Sequence, residues 1–207
     1  MPVTSRLSAT ERRAAIIQAA IRLFSERGFR GTTTREIASA VGVSEPVLYQ
    51  HFPSKRDLYT AIIETVMNRE QYTEVERMLS HSEDEPRVLL KWLALEAVKW
   101  HRENEDYVRL IHYSALERHE LADLANQAHE GRFYEMVASY MERAMQAGQL
   151  RREDSKLVAR LYLGMVGDAC RQRILHSCDP LLKGDLETIL PRMVDVFLDG
   201  LEVKQTT

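Results

Sequence analysis

Residues 32–56, TTTREIASAVGVSEPVLYQHFPSKR, decide how this 207-residue chain is read. Thr33 is a favourable N-cap, and Glu36 three residues later completes a capping box. Ile37, Ala38 and Val41 give the helix that follows an apolar face. Gly42 falls where the chain must leave that helix, a position that favours φ > 0. Ser44 can cap a second helix, about residues 45–51, whose first turn tolerates Pro46 because no intrahelical donor is lost there. A helix this short is not stable alone, so Val47, Leu48 and Phe52 must hold it by packing. Pro53 ends it, and Ser54 with Asp57 opens the next helix.

Two short helices joined by a turn containing Gly make a helix-turn-helix, whose second helix fits a DNA major groove. Ser44, Glu45, Tyr49, Gln50 and His51 face outward from that helix, all polar or tipped with a hydrogen-bonding group. The pattern IA-x-x-x-GVS-x-x-x-LY-x-HF-x-SK-x-x-L resembles the DNA-binding domain of the TetR/AcrR family of one-component regulators, without a gap from about Ala14 to Ile63. The resemblance implies a DNA-contacting set of Thr33, Thr34, Arg35, Ser44, Glu45, Pro46, Val47, Tyr49, Gln50, His51 and Lys55. Arg35 matches the family position from which an Arg can reach guanine O6 and N7, where it is the best bidentate reader. Its other roles are a phosphate contact or a solvated pairing with Glu36. Tyr49 and His51 read as phosphate hydrogen bonds that set register, and Lys55 as a phosphate contact. Glu45 departs from the family, which commonly carries Gln, Lys, Arg or a small residue there. Two readings stay open: a charge favoured by the positive end of the helix dipole, or an acceptor for cytosine N4.

The charge distribution agrees with a nucleic-acid partner although the net charge is −3. Residues 1–56 carry nine Lys/Arg against four Asp/Glu, a head of +5 on a remainder of −8. That arrangement presents one face to phosphates and repels them elsewhere. Residues 1 to about 9 form a polar arm with Arg6, either a tail or an arm reaching DNA. Two Cys in 207 residues cannot be a disulfide framework, which with the absence of a signal peptide or a membrane-length apolar run predicts a cytoplasmic protein.

Six Pro, nine Gly and no alternating β-branched runs predict an all-α protein. Helices are expected over about 10–27, from Ser54 to about Leu79, and over 86–102, 105–118, 121–147, 154–177 and 184–201, with Pro191 kinking the last or delaying its start. The expected organisation is an N-terminal three-helix helix-turn-helix domain, 1–53, and a C-terminal helical bundle, 54–207, for ligand binding and dimerisation. In members of the resembling family the middle helices enclose a ligand cavity and the last two pair with their copies. Leu157, Leu161, Gly164, Met165 and Gly167, and Leu186, Ile189, Leu190, Met193, Val196, Phe197 and Leu201, give those two helices apolar arcs wide enough for a core and a partner. Trp92, Trp100, Tyr107, His112, Tyr113, Phe133 and Met136 are the candidate ligand wall, core filling being the alternative for each.

No metal or cofactor is expected, since His112 and His119 lie two helical turns apart and no HxxxH or CxxC pair occurs. Cys170 and Cys178 read as buried or idle thiols. No nucleophile elbow, phosphate loop or paired carboxylate marks an enzyme. The expectation is a homodimeric regulator, a repressor released from a palindromic operator by a small hydrophobic or aromatic effector. A protein partner in place of the small molecule is the alternative.

Overall fold

The computed structural model describes residues 8–67, 70–81, 84–117, 131–176 and 184–201. The polar arm with Arg6, His119, Cys178 and the first part of the helix expected over 121–147 lie outside them. Ten helices are described: α1 (Ala9–Arg27), α2 (Thr34–Val41), α3 (Glu45–His51), α4 (Lys55–Met67), α5 (Glu70–His81), α6 (Pro86–Glu103), α7 (Glu105–Leu116), α8 (Arg132–Gln146), α9 (Ser155–Leu175) and α10 (Leu186–Asp199). Of the single helix expected from Ser54 to Leu79, α4 and α5 are the described parts, α4 packing on α1 and α5 on α6 and α8; residues 68–69 between them lie outside the described residues. Pro191 lies inside α10, which starts ahead of it at Leu186, so the helix continues past a residue that withdraws one ladder donor.

The chain divides into two compact units, one of residues 1–67 and 106–126, the other of 68–105 and 127–207. The expected cut at 53/54 follows the motif; the packing units divide the chain differently, with α4 and most of α7 joining the first helices. The physical reason is the core of that unit. Ile16, Ala20 and Phe24 of α1, Ile37 of α2, Leu48 of α3 and Leu58, Tyr59 and Ile62 of α4 are all fully buried. Phe29 completes it, its ring 5.4 Å from Phe24 and edge-on to Tyr59 at 5.7 Å. The Tyr59 hydroxyl, buried here, bonds the Ser114 hydroxyl of α7 at 2.9 Å.

In the second unit α6 packs on α10 and α8 on α9. Leu89, Leu90, Leu93, Val137, Met141, Tyr162, Val166, Leu190 and Val194 form its centre. Tyr162 is fully buried and spends its hydroxyl on the Leu90 carbonyl at 2.7 Å, which removes the cost of an unpaired polar group. At the rim, Arg87 bridges Asp195 at 2.6 Å and Asp199 at 2.8 Å, and Lys91 also reaches Asp195. No helix among the described residues is long and apolar enough to cross a membrane.

Candidate nucleic-acid interface

The capping logic of the opening stretch is realised in α2. The Thr33 hydroxyl accepts from the Glu36 N–H at 3.2 Å, and the Glu36 carboxylate accepts from the Thr33 N–H at 2.8 Å. Gly42 then closes the helix in the left-handed region, φ 72°, ψ 29°, and its N–H and that of Val43 return to the Ser39 and Ala38 carbonyls. The turn thereby aims α3 across α2, and the buried Leu48 and Phe52 anchor it. Arg13 of α1 lies over the Phe52 ring at 4.7 Å.

Ser44 occupies the N-cap position of α3, but its hydroxyl makes no cap hydrogen bond. An N-cap side chain bonds the N2 or N3 amide. Here N2 is Pro46, which has none, and the N3 amide of Val47 already donates to the Ser44 carbonyl at 3.0 Å. The Ser44 hydroxyl is therefore left at the surface, as a phosphate contact requires.

The other expected DNA contacts divide by exposure. Thr33, Arg35, Ser44, Pro46, Tyr49 and Gln50 are exposed, whereas Thr34, Glu45, Val47, His51 and Lys55 are half-buried. Glu36, an expected alternative partner of Arg35, is taken by Arg27 at 3.1 Å. Glu45 is held by the Thr34 hydroxyl at 2.5 Å, and the same hydroxyl lies 3.1 Å from that of Tyr49. Neither open reading of Glu45 included this tie between α2 and α3. Lys55 folds back: its ammonium donates to the Phe29 carbonyl and sits 4.1 Å from the Phe29 ring centre. Burial lowers its pKa, against the pull of Glu117 and Glu36. In this arrangement the ammonium braces the turn after α1 instead of pointing outward.

Two residues of this unit escaped sequence reasoning. Glu117, just beyond α7, accepts from the Phe29 amide at 3.2 Å and the Arg30 amide at 3.4 Å. A side chain at Gly28, whose φ is 73°, would collide with it. Thr32 is buried and bonds the Leu23 and Gly28 carbonyls. No short-range spacing marks Glu117, which lies 88 positions from Phe29 in the chain, whereas Thr32 reaches the Gly28 carbonyl only four positions back.

The expected ligand wall is distributed over both units. Trp92, Phe133 and Met136 are half-buried against the core of the second unit, with Trp100 half-buried beside His101. Tyr107, His112 and Tyr113 belong to the first unit, where Tyr107 is 2% exposed and Tyr113 42%. The His112 ring bonds the Val108 carbonyl at 2.8 Å. A cleft of about 360 Å³ lies elsewhere in the second unit, floored by Val98, Cys170, Ile174 and Leu186 and flanked by Arg102 and Arg173. None of the seven expected residues lines it. Burial pushes the Cys170 thiol up to about 12, so it is an inert neutral group at the cleft floor.

Residues 16–62 match the family of bacterial regulatory proteins called tetR, and residues 94–200 match the C-terminal domain of AefR-like transcriptional repressors. The HTH-type transcriptional repressor AcnR of Corynebacterium diphtheriae is 32% identical over 66% of this chain and 76% of its own. The nucleoid occlusion factor SlmA of Aliivibrio fischeri is 32% identical over 77% of this chain and 83% of its own. Among solved structures, the transcriptional regulator FadR of Bacillus subtilis in complex with stearoyl-CoA superposes with a TM-score of 0.74 at 16% identity, covering 91% of this chain and 99% of that one. The chain belongs to the TetR family of DNA-binding transcriptional regulators.

Proposed function

We propose that the protein is a homodimeric repressor that holds a near-palindromic operator and releases it when a small hydrophobic or aromatic effector binds the body. The observation that carries the reading is the outer face of α3: a buried Leu48 and Phe52 beneath, and Ser44, Glu45, Tyr49, Gln50 and His51 above, on a head of net +5. The exposed apolar residues of α9 and α10 support a dimer. Leu157 is 50% exposed, Leu161 55% and Val196 74%, a loss that a second copy would repair by burying them. AcnR, named a repressor, supports the sign of regulation, and FadR, whose structure of the same fold is in complex with stearoyl-CoA, supports a hydrophobic effector. By linkage, the effector weakens operator binding by the ratio of its affinities for the two states.

The likeness to SlmA, named a nucleoid occlusion factor, favours a second reading in which a protein partner replaces the small molecule.

Selection of bound fragments from random DNA tests the first reading. The expected product is two inverted half-sites one helical turn apart, roughly 34–36 Å. Affinity for the selected operator should fall with salt at a log–log slope of about −0.9 per phosphate contact. No enrichment, or enrichment of isolated half-sites, overturns the operator reading. Screening fatty acids, acyl-CoAs and aromatic acids for release of the selected operator separates a small-molecule switch from a protein partner.

A further inference from the structure

The Thr34 hydroxyl is 2.5 Å from Glu45 Oε1 and 3.1 Å from the Tyr49 hydroxyl. Proton counting sets the direction of both bonds. A hydroxyl carries one proton, and an ionised carboxylate only accepts. Thr34 therefore donates to Glu45, and Tyr49 must donate to Thr34. The relay begins and ends on α3, at positions i+4 and i, and its middle member is the first residue of α2.

The consequence lies on the outward side. The single Tyr49 proton is turned into the protein, so the phenol oxygen, on a residue 43% exposed, offers only lone pairs to an approaching partner. The carboxylate of Glu45 likewise only accepts. Phosphate oxygens are acceptors too, so a Tyr49 held in this relay has nothing to donate to the DNA backbone. It can receive an N–H, and in the major groove the base-edge donors are cytosine N4 and adenine N6.

We infer that Thr34 is a positioning residue that converts Glu45 and Tyr49 into a pair of acceptors reading amino bases, cytosine or adenine, on one strand of each half-site. The inference rests on α3 docking in the major groove, and it replaces the phosphate role expected of Tyr49.

The test is operator selection from random DNA with the full-length protein and with Thr34→Val, Thr34→Ser and Tyr49→Phe, alongside thermal unfolding of each. The unaltered protein should select an amino base at two positions of each half-site. Tyr49→Phe should lose about tenfold discrimination at one of them. Thr34→Val should relax both, while Thr34→Ser, which keeps the hydroxyl, retains the motif. If Tyr49→Phe and Thr34→Val weaken all sequences alike and leave the motif unchanged, Tyr49 donates to phosphate and the inference fails while DNA binding stands. If Thr34→Val does not fold, Tyr49→Phe decides on the same two outcomes. If the unaltered protein enriches no DNA, groove docking itself is wrong and the inference falls with it.

Discussion

The outer face of α3 and the outer faces of α9 and α10 are both open to solvent and are built in opposite ways. On α3 every large aliphatic side chain points inward or sits half-buried, and the groups left outside are hydroxyls, an amide, an imidazole and a carboxylate. On α9 and α10 the outside carries Leu157, Leu161, Leu175 and Val196, all at least 38% exposed. Beneath them the same helices already bury a complete inner face, with Val158, Tyr162 and Val166 on α9 and Leu190, Val194 and Leu198 on α10. Apolar area gains free energy only by leaving water. A polar face instead keeps its hydrogen-bonding groups available for a charged, hydrated partner. The contrast supports the proposed roles of the two faces, α3 for a polyanion and the two C-terminal helices for another apolar surface.

The double substitution Leu161→Asp with Val196→Asp strikes the second face hardest. Both residues are more than half exposed, so the charges cost the isolated fold little. If a second copy covers them, sedimentation should show monomers, and operator affinity should fall by about 10²–10⁴-fold as the two half-sites stop being bound together. A variant that stays dimeric with unchanged affinity puts the interface elsewhere.

Leu48→Ala strikes the first face from below. Leu48 is fully buried, and the truncation should cost the first unit about 2–5 kcal/mol in urea unfolding. DNA binding should fail while the sedimentation coefficient stays that of the unaltered protein. Loss of the dimer as well would mean that the two faces are not separable.

Thr33→Ala removes one half of the α2 capping box and should cost about 1 kcal/mol, read as a lower urea midpoint with unchanged slope.

The smallest effect is on pH. The Glu36 carboxylate is held below the ordinary carboxylate range, first by the Thr33 amide and then by the Thr33 hydroxyl. A depressed folded pKa adds stability that is present above the unfolded value and is lost as pH falls through the folded one. Glu36→Gln should therefore flatten the stability profile below about pH 4.3, the ordinary glutamate value, and leave its shape at neutral pH unchanged. An acid limb as steep as that of the unaltered protein assigns the loss to other carboxylates.

The sequence by itself determined whatever is settled within one or two helical turns. Thr33 with Glu36, Gly42, and Ser54 with Asp57 each act over no more than three or four positions, so their spacing states the geometry. The outward character of Tyr49 and Gln50 and the inward character of Leu48 follow from helical periodicity in the same way. Tertiary structure alone decided what depends on which distant groups compete for a side chain. Lys55, read from position as a phosphate contact, turns to the Phe29 carbonyl because the turn after α1 offers an acceptor between two aromatic rings. Ser44 makes no cap hydrogen bond because its own carbonyl captures the amide it would have capped. Glu45 is neither a bare helix-end charge nor a solitary reader, since Thr34 reaches it from another helix. Glu117 caps a turn 88 positions away, and a cleft opens where α6, α9 and the start of α10 fail to close on one another. Such outcomes are set by packing because a hydrogen-bonding group takes the partner the fold brings within about 3 Å, and chain spacing does not encode that distance.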